Sequence, residues 1–113
     1  RRLQKQLMLG GNTWIAFQNL HRVEKLLQTL NIINEKGLHA RASAKFVETV
    51  ERYDAGATVR KDGLSAEGDS IMGLLMLAAS TGTAIEVETR GAEAEALAQA
   101  LAGLVADRFG EAE

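Results

Sequence analysis

The chain has 113 residues, enough for one domain with a single core, and its 46% apolar and 25% charged residues are typical of a soluble globular protein. It has no cysteine, which excludes disulfides and thiolate metal sites, and no apolar run approaches the roughly 20 residues of a membrane span, so we expect a cytoplasmic protein without membrane insertion. Residues 26–113 carry 8 basic and 14 acidic side chains, which disfavours nucleic-acid binding because phosphate contacts require clustered lysines and arginines.

The first part of the chain differs from the rest in charge and pattern. Residues 1–25 carry five basic side chains and one acidic side chain, and apolar residues recur at helical spacing in 1–9 and in 13–27. We therefore predict a helical N-terminal extension over residues 1–25 and a separate domain over residues 26–113. A segment this apolar would need to dock on the domain or on another chain.

From Thr29 onward the hydrophobic pattern alternates between strand and helix periods. An Asp62-Gly63 pair between two short strand-like segments predicts a hairpin, because its turn requires positive φ. Ser70 precedes a short apolar segment and is predicted to be the N-cap of a helix. The pattern predicts strands at 29–34, 57–60, 64–67 and 84–88, and helices at 40–53, 71–78 and 92–108.

The resulting element order is β-α-β-β-α-β-α. Short links between alternating strands favour an antiparallel sheet, and the amphipathic helices then pack on one of its faces. We therefore predict an α+β domain in which one layer is a four-stranded antiparallel sheet and the other is helical.

The segment Gly37-Leu-His-Ala-Arg-Ala-Ser43 lies at a predicted strand-to-helix junction. His39 would precede the first helical turn, where unpaired backbone N–H groups and a partial positive charge favour a phosphoryl group. A neutral histidine is nucleophilic through a ring nitrogen, and the guanidinium of Arg41 can bind phosphate oxygens. This arrangement permits a phosphohistidine site, although a histidine before a helix is more often a cap or a packed side chain. The other histidine, His21, lacks such a junction.

Two motifs in this chain resemble those of a known family. Gly37-Leu-His-Ala-Arg41, followed by Ala-Ser-Ala-Lys-Phe-Val47, resembles the active-site signature of the HPr phosphocarrier proteins. Asp69-Ser-Ile-Met-Gly-Leu74 is similar to the family's second signature, and the predicted element order matches its open-faced β-sandwich. The resemblance extends from about Leu26 to Phe109.

The resemblance implies a function for the first motif. His39 would be phosphorylated on Nδ1, and Arg41 would stabilise the phosphoryl group. The donor would be phosphorylated Enzyme I of the phosphoenolpyruvate-dependent phosphotransferase system, and the acceptor an Enzyme IIA protein. The transfer itself would need no metal, nucleotide or other cofactor.

The second motif implies regulation and docking. Ser70 matches the serine that HPr kinase/phosphorylase modifies in many members of the family, so this chain would be a kinase substrate. The helix after it is apolar on nearly all sides, which favours a partner-docking surface made by Ala40, Ile71, Met72 and Leu75. Deeper burial of this helix, under the extension for example, is the alternative.

Three features depart from the family pattern. Ala42 stands where most members have proline, the extension has no counterpart, and Glu48 and Glu51 make the expected docking face less basic than in sugar-transport members. The last feature favours the nitrogen-related regulatory branch.

Two other kinds of function compete with the phosphocarrier. One is a regulatory binding module controlled by Ser70 phosphorylation, without phosphotransfer. The other is an independent enzyme, which we disfavour because the sequence suggests no second acid–base group near His39, no glycine-rich nucleotide loop and no metal ligands.

Overall fold

The computed structural model of the protein describes residues 25–112. Its strands and helices alternate in the predicted order, and a short 3-10 helix follows the last of them. The strands are β1 (Lys25–Asn31), β2 (Gly56–Lys61), β3 (Leu64–Glu67) and β4 (Ala84–Arg90). The helices are α1 (Ala40–Glu51), α2 (Ile71–Met76) and α3 (Ala94–Ala106), and the 3-10 helix is Arg108–Gly110.

The four strands form one antiparallel sheet in the order β1-β4-β2-β3. The β2–β3 hairpin turns through Asp62 and Gly63, and both have positive φ, as the sequence predicted. Side chains alternate across the sheet, so that Ile85 and Val87 of β4 are buried while Glu86 between them is exposed. One face of the sheet therefore contributes to the core, and the other carries charged side chains.

The helices cover the apolar face of the sheet. α3 packs on β1 and β4, whereas α2 packs on β3 and α1 contacts both other helices. Ser43, Phe46, Val47 and Val50 recur at helical spacing in α1, and all four are buried. The largest fully buried apolar side chains are Phe46, Phe109, Ile32, Leu74, Ile85, Leu97 and Leu101. The structure is the predicted α+β fold.

The first strand lies earlier in the chain than the sequence pattern indicated. It was predicted at 29–34, but it runs over Lys25–Asn31, because its first residues pair with the end of β4. The helical prediction for 13–27 is therefore wrong at residues 25–27, while its remainder, His21 and the rest of the predicted extension lie outside the described residues. The division of the chain at residue 25 stays a prediction.

All three helices are shorter than predicted, and α1 ends at Glu51 rather than at Tyr53. α2 ends at Met76 rather than at Ala78, which has positive φ and turns the chain toward β4. α3 begins at Ala94 rather than at Ala92 and ends at Ala106 rather than at Arg108. Its end is set by a change of backbone direction that turns Phe109 into the core. Within residues 25–112, no helix has the length and apolar character needed to cross a membrane.

Candidate functional site

The loop between β1 and α1 is fixed by close backbone contacts. Gly37 has φ +68°, and a Cβ added there would lie 2.5 Å from the carbonyl oxygen of Ala79, so only glycine fits. The next residue, Leu38, donates its N–H to the same oxygen at 2.8 Å, and its side chain is buried. The Ser43 hydroxyl donates to the Leu38 carbonyl oxygen at 3.2 Å. These contacts hold His39 at the first turn of α1.

His39 is the N-cap of α1, as the motif predicted. Its carbonyl oxygen accepts the N–H of Ser43 at 2.8 Å, and its ring Nδ1 accepts the backbone N–H of Arg41 at 3.2 Å. A ring nitrogen that accepts an N–H carries a lone pair and no proton. The geometry therefore places the lone pair on Nδ1 and leaves Nε2 to carry the ring proton. The capping interpretation and the nucleophile interpretation of His39 are compatible, because both use the Nδ1 lone pair.

The other ring nitrogen of His39 contacts a carboxylate that the sequence analysis missed. Nε2 is hydrogen-bonded to Oε2 of Glu111, so the expectation of no second acid–base group near His39 is wrong. The other oxygen of Glu111 accepts from Nδ2 of the fully buried Asn34 at 3.0 Å. The hydrogen bond from Asn34, and after it the one from His39, holds the pKa of Glu111 below its usual value of 4.5. The carboxylate is therefore ionised at neutral pH.

The segment after α3 carries Glu111 back to the site. Arg108, Phe109 and Gly110 all have positive φ, which reverses the chain within three residues. Phe109 is fully buried, and its carbonyl oxygen accepts from Nζ of Lys45 at 2.7 Å. No spacing rule connects Glu111 to a histidine 72 residues away. The only sequence signal was an apolar Phe109 beyond the helix end, which had to return to the core.

Arg41 lies on the exposed side of the first turn of α1. Its guanidinium has no hydrogen bond or ion pair with another residue of the 25–112 segment. It shares a surface depression with His39, lined by Glu35, Lys36, His39, Ala40, Arg41, Glu111 and Ala112. A cation and a ring nitrogen with a lone pair thus lie at one helix start. Ala40, between His39 and Arg41, is also exposed.

The second motif forms the neighbouring helix. Ser70 is the N-cap of α2, as predicted, and its Oγ accepts the N–H of Gly73 at 3.0 Å. Of the predicted docking residues on this helix, Ile71 and Met72 are exposed and Leu75 is half-buried. Met76 is the most exposed of the large apolar side chains of residues 25–112, at 72%, and it is not among the predicted docking residues.

No metal site accompanies these residues in the part of the chain that the structure describes. Residues 25–112 contain no group of three histidine, cysteine, aspartate or glutamate side chains that could hold a metal ion.

The chain matches the family model described as "PTS HPr component phosphorylation site" over residues 26–107. It is 52% identical over 89 residues to the phosphocarrier protein HPr of Neisseria meningitidis, which covers 78% of this chain and 99% of the relative. It is 41% identical over 80 residues to the phosphocarrier protein NPr of Escherichia coli, covering 70% and 86%.

The fold agrees with these relatives. The crystal structure of HPr-C-His from Thermoanaerobacter tengcongensis matches with a TM-score of 0.74 at 34% identity, covering 78% of this chain and 99% of that one. The family model, the identities and the four-stranded sheet with its helices all lead to one assignment. The chain belongs to the HPr family of phosphocarrier proteins of the phosphotransferase system.

Proposed function

We propose that this phosphocarrier accepts a phosphoryl group from phosphorylated Enzyme I on Nδ1 of His39 and passes it to an Enzyme IIA protein. The observation that carries the proposal is the hydrogen bond from the Arg41 N–H to Nδ1, since a ring nitrogen that accepts a hydrogen bond has the lone pair that attacks phosphorus. Membership of the HPr family supports the same role.

In the uptake step, the Nδ1 lone pair of His39 forms a bond to the phosphorus of a phosphohistidine on the donor protein. The bond from phosphorus to the donor nitrogen breaks, and that nitrogen keeps the electron pair. The backbone N–H of Arg41 is then free to donate to a phosphoryl oxygen. The phosphoryl group would lie at the start of a helix of 12 residues, where unpaired N–H groups and the helix dipole favour an anion.

Arg41 would stabilise the transferring group. Arg41 is two positions after His39 in the sequence, and its side chain is exposed. Its guanidinium forms no ion pair with any other residue of 25–112. An arginine in this position can turn its donors toward the equatorial oxygens as charge redistributes in transfer. Its contribution is electrostatic and depends on its position.

We also propose that both partner proteins dock on an apolar surface beside His39, made by Ala40, Ile71, Met72 and Leu75. The exposure of Ile71 and Met72 supports this, because apolar side chains grouped on a surface favour protein contacts.

The assignment to the nitrogen-related branch rests on the exposed Glu48 and Glu51, and both HPr and NPr proteins occur among the relatives.

The test is phosphoryl uptake from labelled phosphoenolpyruvate and Enzyme I. We expect acid-labile, alkali-stable label on the wild type and none on His39→Ala. The matched control is His21→Ala, which removes the other histidine of the chain and should keep the label. Label retained by His39→Ala, or absent from a folded wild type with an active Enzyme I, would contradict the proposal and favour a regulatory binding module.

A regulatory role for Ser70 is supported by its position. Phosphorylation of this N-cap would add negative charge next to Ile71 and Met72 and would oppose docking. We expect HPr kinase/phosphorylase to label the wild type and not Ser70→Ala. Both proteins should still accept the phosphoryl group on His39. Equal kinase labelling of the two proteins would exclude Ser70 as the modified residue.

A further inference from the structure

We propose that Glu111 is a positioning residue for phosphoryl transfer, which holds the proton of His39 on Nε2 so that Nδ1 remains the nucleophile. The inference rests on the proposed function and adds to it a carboxylate that is distant in sequence but adjacent to His39 in the fold. The two residues are 72 positions apart in the sequence and meet only through the fold.

Both hydrogen bonds of the His39 ring favour the same tautomer. Nδ1 accepts the N–H of Arg41, which requires a lone pair there. Nε2 faces Oε2 of an ionised carboxylate, which can only accept, so the ring must donate its proton on that side. An aqueous histidine interconverts its two neutral tautomers, whereas this ring is restrained at both nitrogens.

Asn34 fixes the orientation of Glu111. Its amide nitrogen donates to the carbonyl oxygen of Gly37 at 2.8 Å and to Oε1 of Glu111 at 3.0 Å. Both partners are oxygen acceptors, so the amide group cannot be reversed. Asn34 is fully buried, and its own Oδ1 has no hydrogen-bond partner within the described residues. The Asn34 side chain therefore keeps the orientation in which Nδ2 donates to Gly37 and Glu111, although its Oδ1 stays without a partner in the described residues.

The carboxylate is also matched to the charge that transfer creates. When Nδ1 bonds to phosphorus while Nε2 keeps its proton, the imidazole ring becomes positively charged. Glu111 lies against Nε2, and the phosphoryl group would be attached at Nδ1, so the ring separates the two anionic groups. The carboxylate therefore compensates the ring charge without contacting the phosphoryl oxygens.

Two substitutions separate this role from simple structural support. Glu111→Gln keeps the size of the side chain but has one acceptor oxygen instead of two. Because the Asn34 amide cannot be reversed, that oxygen accepts from Asn34, and the new NH₂ group faces Nε2 of His39 and drives the ring proton to Nδ1. Glu111→Ala removes both groups and leaves only the Arg41 N–H to favour the Nε2–H tautomer. The positioning role predicts that glutamine is more harmful than alanine, whereas a structural role predicts the reverse.

The experiment uses the full chain and two readouts. The imidazole nitrogen chemical shifts, measured by NMR at a pH where the ring is neutral, give the tautomer of His39 without any partner. The rate of phosphoryl uptake from labelled phosphoenolpyruvate and Enzyme I gives the consequence. We expect Glu111→Gln to shift the population from Nε2–H toward Nδ1–H and to slow uptake by about 10- to 100-fold, as for other carboxylates that orient a histidine. Glu111→Ala should lie between glutamine and the wild type.

Asp107→Asn is the matched control, since it removes one negative charge four residues earlier from an exposed side chain. It should keep the tautomer and the uptake rate of the wild type. A wild-type tautomer in Glu111→Gln, or slower uptake in Glu111→Ala than in Glu111→Gln, would overturn the inference. A wild type that takes up no label would instead contradict the proposed function, and the NMR readout would still decide whether Glu111 sets the tautomer.

Discussion

The open face of the sheet and the His39 end of the domain use their arginines differently. On the open face, Arg60 donates to Glu88 across the β2–β4 pair at 3.0 Å. Arg90 donates to the hydroxyl of Thr58 at 2.9 Å and forms an ion pair with Glu67 at 3.3 Å. At the helix start, the guanidinium of Arg41 has no such partner among residues 25–112, although Glu111 lines the same depression.

The difference lies in which groups hold each region in place. The open face is tied across its strands by side chains whose charges cancel. The His39 end is held by backbone contacts and buried side chains. The N–H of Leu38 donates a hydrogen bond to the Ala79 carbonyl oxygen, and the Asn34 amide nitrogen donates to Gly37 and Glu111. Within residues 25–112, no ion pair of Arg41 would have to break for the proposed anionic group to bind.

The largest expected effect comes from replacing one arginine of each region with alanine. Arg41→Ala should slow phosphoryl uptake by about 100- to 1000-fold, the loss typical of removing one donor that stabilises a transition state. Its free energy of unfolding should change by less than about 0.5 kcal/mol. Arg60→Ala should do the opposite and leave uptake unchanged while it lowers the free energy of unfolding by about 0.5–1 kcal/mol, as partly exposed pairs do.

Labelled uptake and urea unfolding of both arginine variants measure these effects. An Arg41→Ala protein that unfolds at a lower urea concentration than the wild type, but takes up the phosphoryl group at the wild-type rate, would contradict this prediction. Arg41 would then be a structural residue of the helix start, and the helix N–H groups alone would have to stabilise the phosphoryl group.

A second prediction addresses the backbone that supports the site. Gly37→Ala should lower the free energy of unfolding by about 2–3 kcal/mol, because alanine at φ +68° is strained and its Cβ would lie 2.5 Å from the Ala79 carbonyl oxygen. Gly82→Ala is the matched control, with φ +87° and no atom within 4 Å of the added Cβ, and it should show only the backbone penalty of about 1–2 kcal/mol. Equal losses in urea unfolding would mean that the contact with Ala79 relaxes freely.

The sequence predicted those parts of the molecule that depend on local pattern. The hairpin at Asp62-Gly63 and the N-caps His39 and Ser70 follow from the conformational preferences of a few adjacent residues. The family resemblance, which the comparisons confirm, came from two short motifs at fixed positions. Each of these signals is contained within about one turn or one helix start, so no knowledge of packing was needed.

What the sequence did not predict depends on contacts between distant segments. The start of β1 at Lys25 is set by pairing with Arg90, and alternation within Lys25–Leu27 is too short to separate a strand from a helix. The end of α3 is set by the burial of Phe109. Glu111, two residues later, reaches His39 because Phe109 is buried in the core. A carboxylate two residues after a buried phenylalanine has no local pattern that marks it as part of a site.

The smallest expected effect tests the open face through pH. The hydrogen bond from Arg60 to Glu88 holds the pKa of Glu88 below its usual value of 4.5, and the nearby charges of Lys25 and Arg90 act in the same direction. Because the unfolded chain binds this proton at a higher pH than the folded chain, the stabilisation is fully present above pH 4.5. It is lost as the pH falls through the lowered pKa of the folded state.

Glu88→Gln should therefore be less stable than the wild type at neutral pH, and the difference should narrow as the pH falls below 4.5. Urea unfolding of both proteins across this range measures the difference, and added salt should reduce it at neutral pH because exposed charges are screened. The uptake rate on His39 should be the same for both proteins, since the ion pairs lie across the strands on the face away from the helices. A pH-independent stability difference would show that Glu88 acts through packing, and slower uptake would show that the two regions are coupled.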